Sequence, residues 1–250
     1  MKISITAFFL LLSFSALAQY PYQRYDAPEY RNFYNWTFVD HWRKGDTIRH
    51  SITIPDFPST HDSISLQLTT TKSSWDRYST LTVQRDGVTI LNVQEPMFFI
   101  PANIRLEPLR VADLNGDGRF DIKLVIPFVG DGSDQEKVRI IYLFQRQDGS
   151  YSKVSYSDLM HGHRADRDVN LDGRFEMVTK TLTTFEDQQY WTYNLYGFEG
   201  EELVNVNEYA NYPIMILQQK RPNYFATKNL LPEQLKLFSA ARPWEFHFAR

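Results

Sequence analysis

The chain contains no cysteine. This excludes a disulfide framework and a lipid-modified cysteine behind a leader, so stability must come from a packed core and from noncovalent clips. Long apolar runs are also missing. Beyond the N-terminus no stretch approaches the ~20 apolar residues of a membrane-spanning helix. Neither sign of charge dominates: 27 Lys and Arg oppose 30 Asp and Glu, for a net charge of −3. The basic residues are scattered, which argues against the basic footprint of a nucleic-acid binder and against an anionic membrane surface as partner. No G-x-S-x-G elbow and no glycine-rich phosphate loop occurs, so the usual hydrolase and nucleotide markers are lacking.

The first 18 residues read as a secretory signal. Lys2 supplies the basic start, Phe8 to Leu12 an apolar run, and Ala16-Leu17-Ala18 an A-x-A cleavage site before Gln19. The expected mature product is exported, periplasmic or secreted. A length of 250 residues with 18 Phe, 15 Tyr and 5 Trp interleaved with Val, Ile and Thr points to a β-rich protein with a sizeable core.

Hydrophobic periodicity places the strands. Residues 19–46 lack a period and read as an irregular arm over a β domain spanning 47–250. Thr47 to Ile54 and Ser63 to Thr69 alternate apolar with polar, as half-buried strands do. Thr80 to Gln84 and Val88 to Val93 flank Arg85-Asp86-Gly87, an Asp-Gly hairpin signal. Further strands are expected at 109–112, 122–126, 137–144, 151–155, 178–182 and 189–196. In the tail, Leu231, Leu235 and Phe238 are spaced i, i+4, i+7 behind Pro232, which predicts one short amphipathic helix over 231–241. The expected fold class is all-β, antiparallel and propeller-like, with a short C-terminal helix.

The most chemical feature is a repeated acidic pattern, D-x-N-x-D-G-R-F-[DE]. It runs from Asp113 to Asp121 and again from Asp168 to Glu176. Asp113, Asn115, Asp117 and Asp121 in the first copy, with the Arg119 carbonyl, offer the hard oxygens that suit Ca²⁺. Asp168, Asn170, Asp172 and Glu176 do the same in the second, with the Arg174 carbonyl. An EF-hand needs a bidentate Glu at position 12, where this chain has Leu124 and Thr179. Neither copy is therefore an EF-hand. The competing explanation is an Asx-rich turn, since Asp, Asn and Gly favour turns on conformational grounds alone. Phe120 and Phe175 at position 8 are expected as core anchors. Each copy leads into an apolar strand, so the repeat includes its flanks.

The DxNGDG loop followed by an apolar strand resembles the FG-GAP/VCBS-type repeat of exported bacterial proteins and integrin-like β-propellers, over residues 109 to 200. The resemblance implies a propeller-like fold with Ca²⁺ in an inter-strand loop of each repeat, the second departing from the pattern by Glu at position 9. It also points to small propellers resembling periplasmic lysozyme-inhibitor or immunity proteins, hence to inhibition of a cell-wall hydrolase.

A binding module for a protein or glycan is the leading functional expectation, with Trp75, Tyr78 and Trp191 as candidate surface aromatics. The alternative is a metal-dependent hydrolase. His161 and His163 with Asp166 and Asp168 carry imidazole and carboxylate donors suited to a transition metal. Glu186-Asp187 and Glu199, Glu201 and Glu202 are candidate paired carboxylates, each more simply read as a solvated charged face.

Overall fold

The computed structural model describes residues 22–40, 47–58, 60–71, 78–96, 106–127, 137–159, 166–199, 202–218 and 230–250. The predicted signal, Trp75, His161, His163 and Glu201 lie outside the described residues. Within them the chain is antiparallel β throughout, with one short α-helix and a 3-10 turn. No described helix is long and apolar enough to cross a membrane.

Three sheets stack. A meander of β2 (Thr37–Asp40), β3 (Thr47–Ile54), β4 (Ile64–Thr71), β5 (Ser79–Arg85) and β6 (Val88–Glu95) forms the first sheet. The six-stranded central sheet has the order β1 (Arg31–Phe33), β7 (Leu109–Ala112), β8 (Asp121–Pro127), β9 (Val138–Gln145), β10 (Tyr151–Asp158) and β16 (His247–Ala249). In the third, β11 (Asp166–Arg167), β12 (Glu176–Phe185), β13 (Gln188–Glu199) and β14 (Glu202–Asn205) follow one another, and β15 (Ile214–Leu217) pairs with the first half of β13. No closed barrel or propeller ring forms among the described residues.

Burial follows from this layering. β4 alternates buried with half-buried because only one of its faces meets another sheet, whereas every residue of β9 is buried because both of its faces are covered. That is why β9 reads as a nearly continuous apolar run. Ile52, Leu66 and Val83 of the first sheet meet Leu109, Ile122 and Leu143 on one face of the central sheet. Val125, Tyr142 and Tyr156 on its other face meet Met177, Tyr196 and Leu203 of the third.

Charged groups are buried at both interfaces. On the side of the first sheet, Glu95 accepts from Arg139 Nε at 2.6 Å and from Lys153 Nζ and Ser155 Oγ, binding β6 to β9 and β10. On the other side, Asp166 accepts from Lys123 Nζ, from the Tyr30 hydroxyl and from the Tyr142 hydroxyl at 2.6 Å. Removing one partner from such a buried pair costs about 3–5 kcal/mol, because the other charge is left in a dry interior. Burial lowers the Lys123 pKa against the opposing pull of Asp166 and raises those of Tyr30, Tyr142 and Tyr156.

Two elements differ from expectation. The arm is not irregular throughout: β1 pairs with β7, β2 pairs with β3, and Asp26 bridges to Asp168. These strands are too short to show a period, and their partners' edges specify them. The C-terminal helix, α1, is confined to Pro232–Lys236. Phe238 is buried and Leu235 half-buried, but Leu231 is exposed, so the apolar stripe is not continuous. Beyond α1 the backbone is held by tertiary bonds instead. Asn194 Nδ2 donates to the Phe238 carbonyl and the Tyr196 hydroxyl to that of Ala240.

Candidate functional site: the paired acidic loops

The acidic segments are the connections β7–β8 and β11–β12, each the first junction of a four-strand meander. Their internal bonding matches nearly bond for bond. In the first loop Asp113 Oδ1 accepts from the Asp117 N–H at 3.2 Å and Oδ2 from the Gly118 N–H at 2.9 Å. In the second, Asp168 takes the N–H groups of Asp172 and Gly173 at 3.1 and 3.0 Å. Asn115 and Asn170 each receive the position 5 N–H and donate Nδ2 to the position 5 carboxylate. Gly118 and Gly173 have φ of +81° and +82°, which bend the chain at position 6 with no Cβ to obstruct it.

Position 9 closes each loop. Asp121 Oδ2 accepts from the Leu114 N–H at 3.0 Å, and Glu176 Oε2 from that of Val169 at 2.8 Å. Leu114 and Val169, at position 2, are themselves buried. Asp121 has no solvent exposure and also takes the N–H of Gln145 from β9 at 3.0 Å. Burial, against the pull of these two N–H groups and aided by Asp117 and Asp113, pushes its pKa up to about 8. Burial likewise pushes Glu176 up to about 7, with Asp172 and Asp168 adding to it and the Val169 N–H opposing.

Phe120 and Phe175 are half-buried. Phe120 packs against the cluster shared by the first and central sheets, Phe175 against that shared by the central and third. Each repeat thus pins its loop to the interface on the same side of its own sheet. The loops also touch, the Phe175 N–H donating to the Leu114 carbonyl at 3.0 Å.

The arginines were expected to offer only carbonyls, yet their side chains diverge. Arg119 Nη2 pairs with Asp117 at 2.5 Å and its Nε donates to the Gln145 carbonyl at 3.1 Å. Arg174 instead lays its stem across Gly116, whose φ is +70° and where an added Cβ would lie 3.0 Å from Arg174 Cγ. Its guanidinium has no hydrogen bond or ion pair among the described residues.

Do these residues fit Ca²⁺? The donor chemistry does, since carboxylate, amide and backbone oxygens are the ligands this ion takes. Asp113 Oδ1 already holds two N–H groups, those of Gly116 and Asp117, whereas oxygens holding one, such as Asn115 Oδ1 and Asp168 Oδ2, keep a second lone-pair direction. No three His, Asp or Glu side chains among the described residues are already gathered around a metal position. A calcium shell would therefore draw on Asn115 or Asn170 and on backbone carbonyls alongside the carboxylates. Asx-turn bonding by itself accounts for the hydrogen-bond network of both loops.

The other candidates fare differently. Asp166 is buried and committed to Lys123, Tyr30 and Tyr142, away from any solvent-facing metal site. Glu186 and Asp187 form the exposed β12–β13 turn with φ of +48° and +60°. Glu199 and Glu202 are exposed, as a solvated face would be. Tyr78 and Trp191 are half-buried, with Lys180 Nζ lying 3.7 Å from the Trp191 ring centroid.

Two clefts adjoin the loops. One of about 750 Å³ lies between the first loop and the β9–β10 turn. A second of about 250 Å³ lies between the two loops and β13–β14. Asn115, Arg174 and Phe198 line both. No sequence signal pointed to Arg174 in this role, because its neighbours belong to another sheet. No family model matches the chain, no curated protein matches it in sequence, and no solved structure matches its fold.

Proposed function

We propose that this chain is an exported, calcium-clipped β-repeat protein of FG-GAP/VCBS type, with propeller-like stacking of its units, that serves as an interaction module for a protein or glycan. The observation that carries this reading is the equivalence of the units β7–β10 and β11–β14. Each is a four-strand antiparallel meander opened by a loop in which position 1 takes the N–H groups of positions 5 and 6, position 3 takes that of position 5, and the position 9 carboxylate takes that of position 2. A hydrogen-bonding pattern repeated at equivalent strand junctions is what one loop chemistry used twice would produce.

In this role Asp113, Asn115, Asp117, Asp121 and the Arg119 carbonyl would hold one Ca²⁺. Asp168, Asn170, Asp172, Glu176 and the Arg174 carbonyl would hold another. The ion supplies positive charge where a buried carboxylate meets two that are more exposed in each loop, and it stabilises the folded chain by mass action, by about 2.7 kcal/mol at a hundredfold excess over Kd. Binding is the reading because the shifted tyrosines and lysine are sealed between sheets and the raised carboxyls of Asp121 and Glu176 are tied to N–H groups of their own loops, while the open clefts lie at the loops.

A pull-down from envelope extracts with the mature chain, in Ca²⁺ and in chelator, tests the reading. A partner retained only with Ca²⁺ is expected. Recovery of no partner in either condition would overturn the interaction role, and a melting temperature unmoved by chelator would overturn the clip.

A further inference from the structure

The two repeats use the same arginine differently, and that difference marks a binding cleft. Arg119 is consumed by its own loop and by Gln145, whereas Arg174 reaches across to the first loop and lines the 750 Å³ cleft with its guanidinium uncommitted among the described residues. Gly116 is what lets the Arg174 stem lie there. At the corresponding place in the second loop, Leu171 has φ of +63° and is 75% exposed, so nothing there requires glycine for packing.

The cleft is of a size that encloses a small ligand. Three arginines, Arg119, Arg146 and Arg174, and two acids, Asp117 and Asp148, line it. Asp117 is already paired with Arg119, and Asp148 accepts from the Ser150 hydroxyl and N–H. Asn115, Gln147 and Ser152 add groups that both donate and accept hydrogen bonds. Phe198 packs edge-to-face on Phe144, with ring centroids 4.2 Å apart, and both rings line the cleft.

We propose that this cleft binds a carboxylate-bearing saccharide, with Arg174 as the anchor of the carboxylate. A planar guanidinium takes a carboxylate through two parallel hydrogen bonds, which a lysine cannot reproduce. Hydroxyls both donate and accept, as do the amide and hydroxyl groups around them, and a sugar ring offers an apolar face to the phenylalanines. An acidic peptide would meet the same guanidinium but has no ring of hydroxyls to engage the amide and hydroxyl groups together, and it serves as the control below. The assignment rests on the interaction-module reading and narrows it to a glycan.

The test is calorimetric titration of the full mature chain with a hyaluronan tetrasaccharide, using chitotetraose as the neutral control and hexaglutamate as the peptide control, each in Ca²⁺ and in chelator. The hyaluronan fragment is expected to bind better than either control. Arg174→Gln is expected to lower that affinity about tenfold or more, the range for a lost charge-assisted bond. Its melting temperature should not move, because the side chain makes no bond within the fold. Absence of hyaluronan binding, equal binding of chitotetraose or hexaglutamate, or full affinity in Arg174→Gln would each overturn the proposal. An envelope partner still captured by a chain that fails to bind hyaluronan would sink the saccharide assignment and leave the module standing.

Discussion

At position 9 the first loop carries Asp121, whose carboxylate gathers one N–H from its own loop and another from β9, while the second carries Glu176, which takes the N–H of Val169 and no N–H from a neighbouring strand among the described residues. At position 4 the first loop has Gly116 beneath the Arg174 stem, and the second has an exposed leucine in a left-handed conformation. The arginines complete the contrast, one stapled to its own loop and one reaching across to the other. One nine-residue pattern thus does two jobs. The first loop ties strands of the central sheet together, and the second presents a side chain to a cleft it shares with the first. A repeat can keep its local bonding and still diverge in what its outward groups do.

The largest expected effect separates the two closures. Asp121→Ala leaves two buried N–H groups without an acceptor, and at about 1–3 kcal/mol for each it should cost about 2–6 kcal/mol in denaturant unfolding. Glu176→Ala orphans one and should cost about 1–3 kcal/mol. Equal losses would break the distinction drawn between the loops.

Backbone strain gives the next pair. Gly116→Ala places a Cβ at positive φ and 3.0 Å from Arg174 Cγ, and should destabilise by about 1–2 kcal/mol. Leu171→Gly relieves a left-handed leucine that is 75% exposed, and should be neutral or stabilising by up to about 1 kcal/mol. Melting scans of both variants check this, and a destabilised Leu171→Gly would show that the second loop needs its leucine.

The smallest effect lies outside the loops and serves as their control. His50 on β3 is buried against Phe38, its Nε2 has no partner among the described residues, and burial lowers its pKa below 6.5. The unfolded chain therefore takes up a proton at a higher pH than the folded one does. Stability from this residue is complete above pH 6.5 and declines as pH falls below it. His50→Leu should flatten that part of the stability–pH curve without altering calcium dependence, and an unchanged acid slope would contradict it.

Much of the fold was legible along the chain. β3 and β4 alternate because one face is covered, and Asp86-Gly87 takes the positive φ values, +47° and +81°, that its dipeptide predicts for the β5–β6 turn. β1, β2, β11 and β16 were not legible, since two to four residues carry no period and pair only because a partner edge is waiting. The acidic loops were legible as oxygen-rich turns, but the duty of position 9 was not. Its two backbone partners in the first loop come from position 2 and from a strand that lies next to it only after folding. Lys123 and Lys153 occupy strand positions that look solvent-facing, and they are buried because stacking covers both faces of the central sheet. Their carboxylate partners, Asp166 and Glu95, come from the neighbouring sheets.

Calcium titration of the metal-stripped chain by calorimetry, alongside Asp113→Ala and Asp168→Ala, tests the central claim most directly. The calcium-clip account predicts two sites, the tighter lost in Asp113→Ala and the weaker in Asp168→Ala, with the melting temperature of the parent chain rising as the sites fill. No binding heat and a melting temperature indifferent to calcium would contradict it, and the loops would then be Asx turns and nothing more.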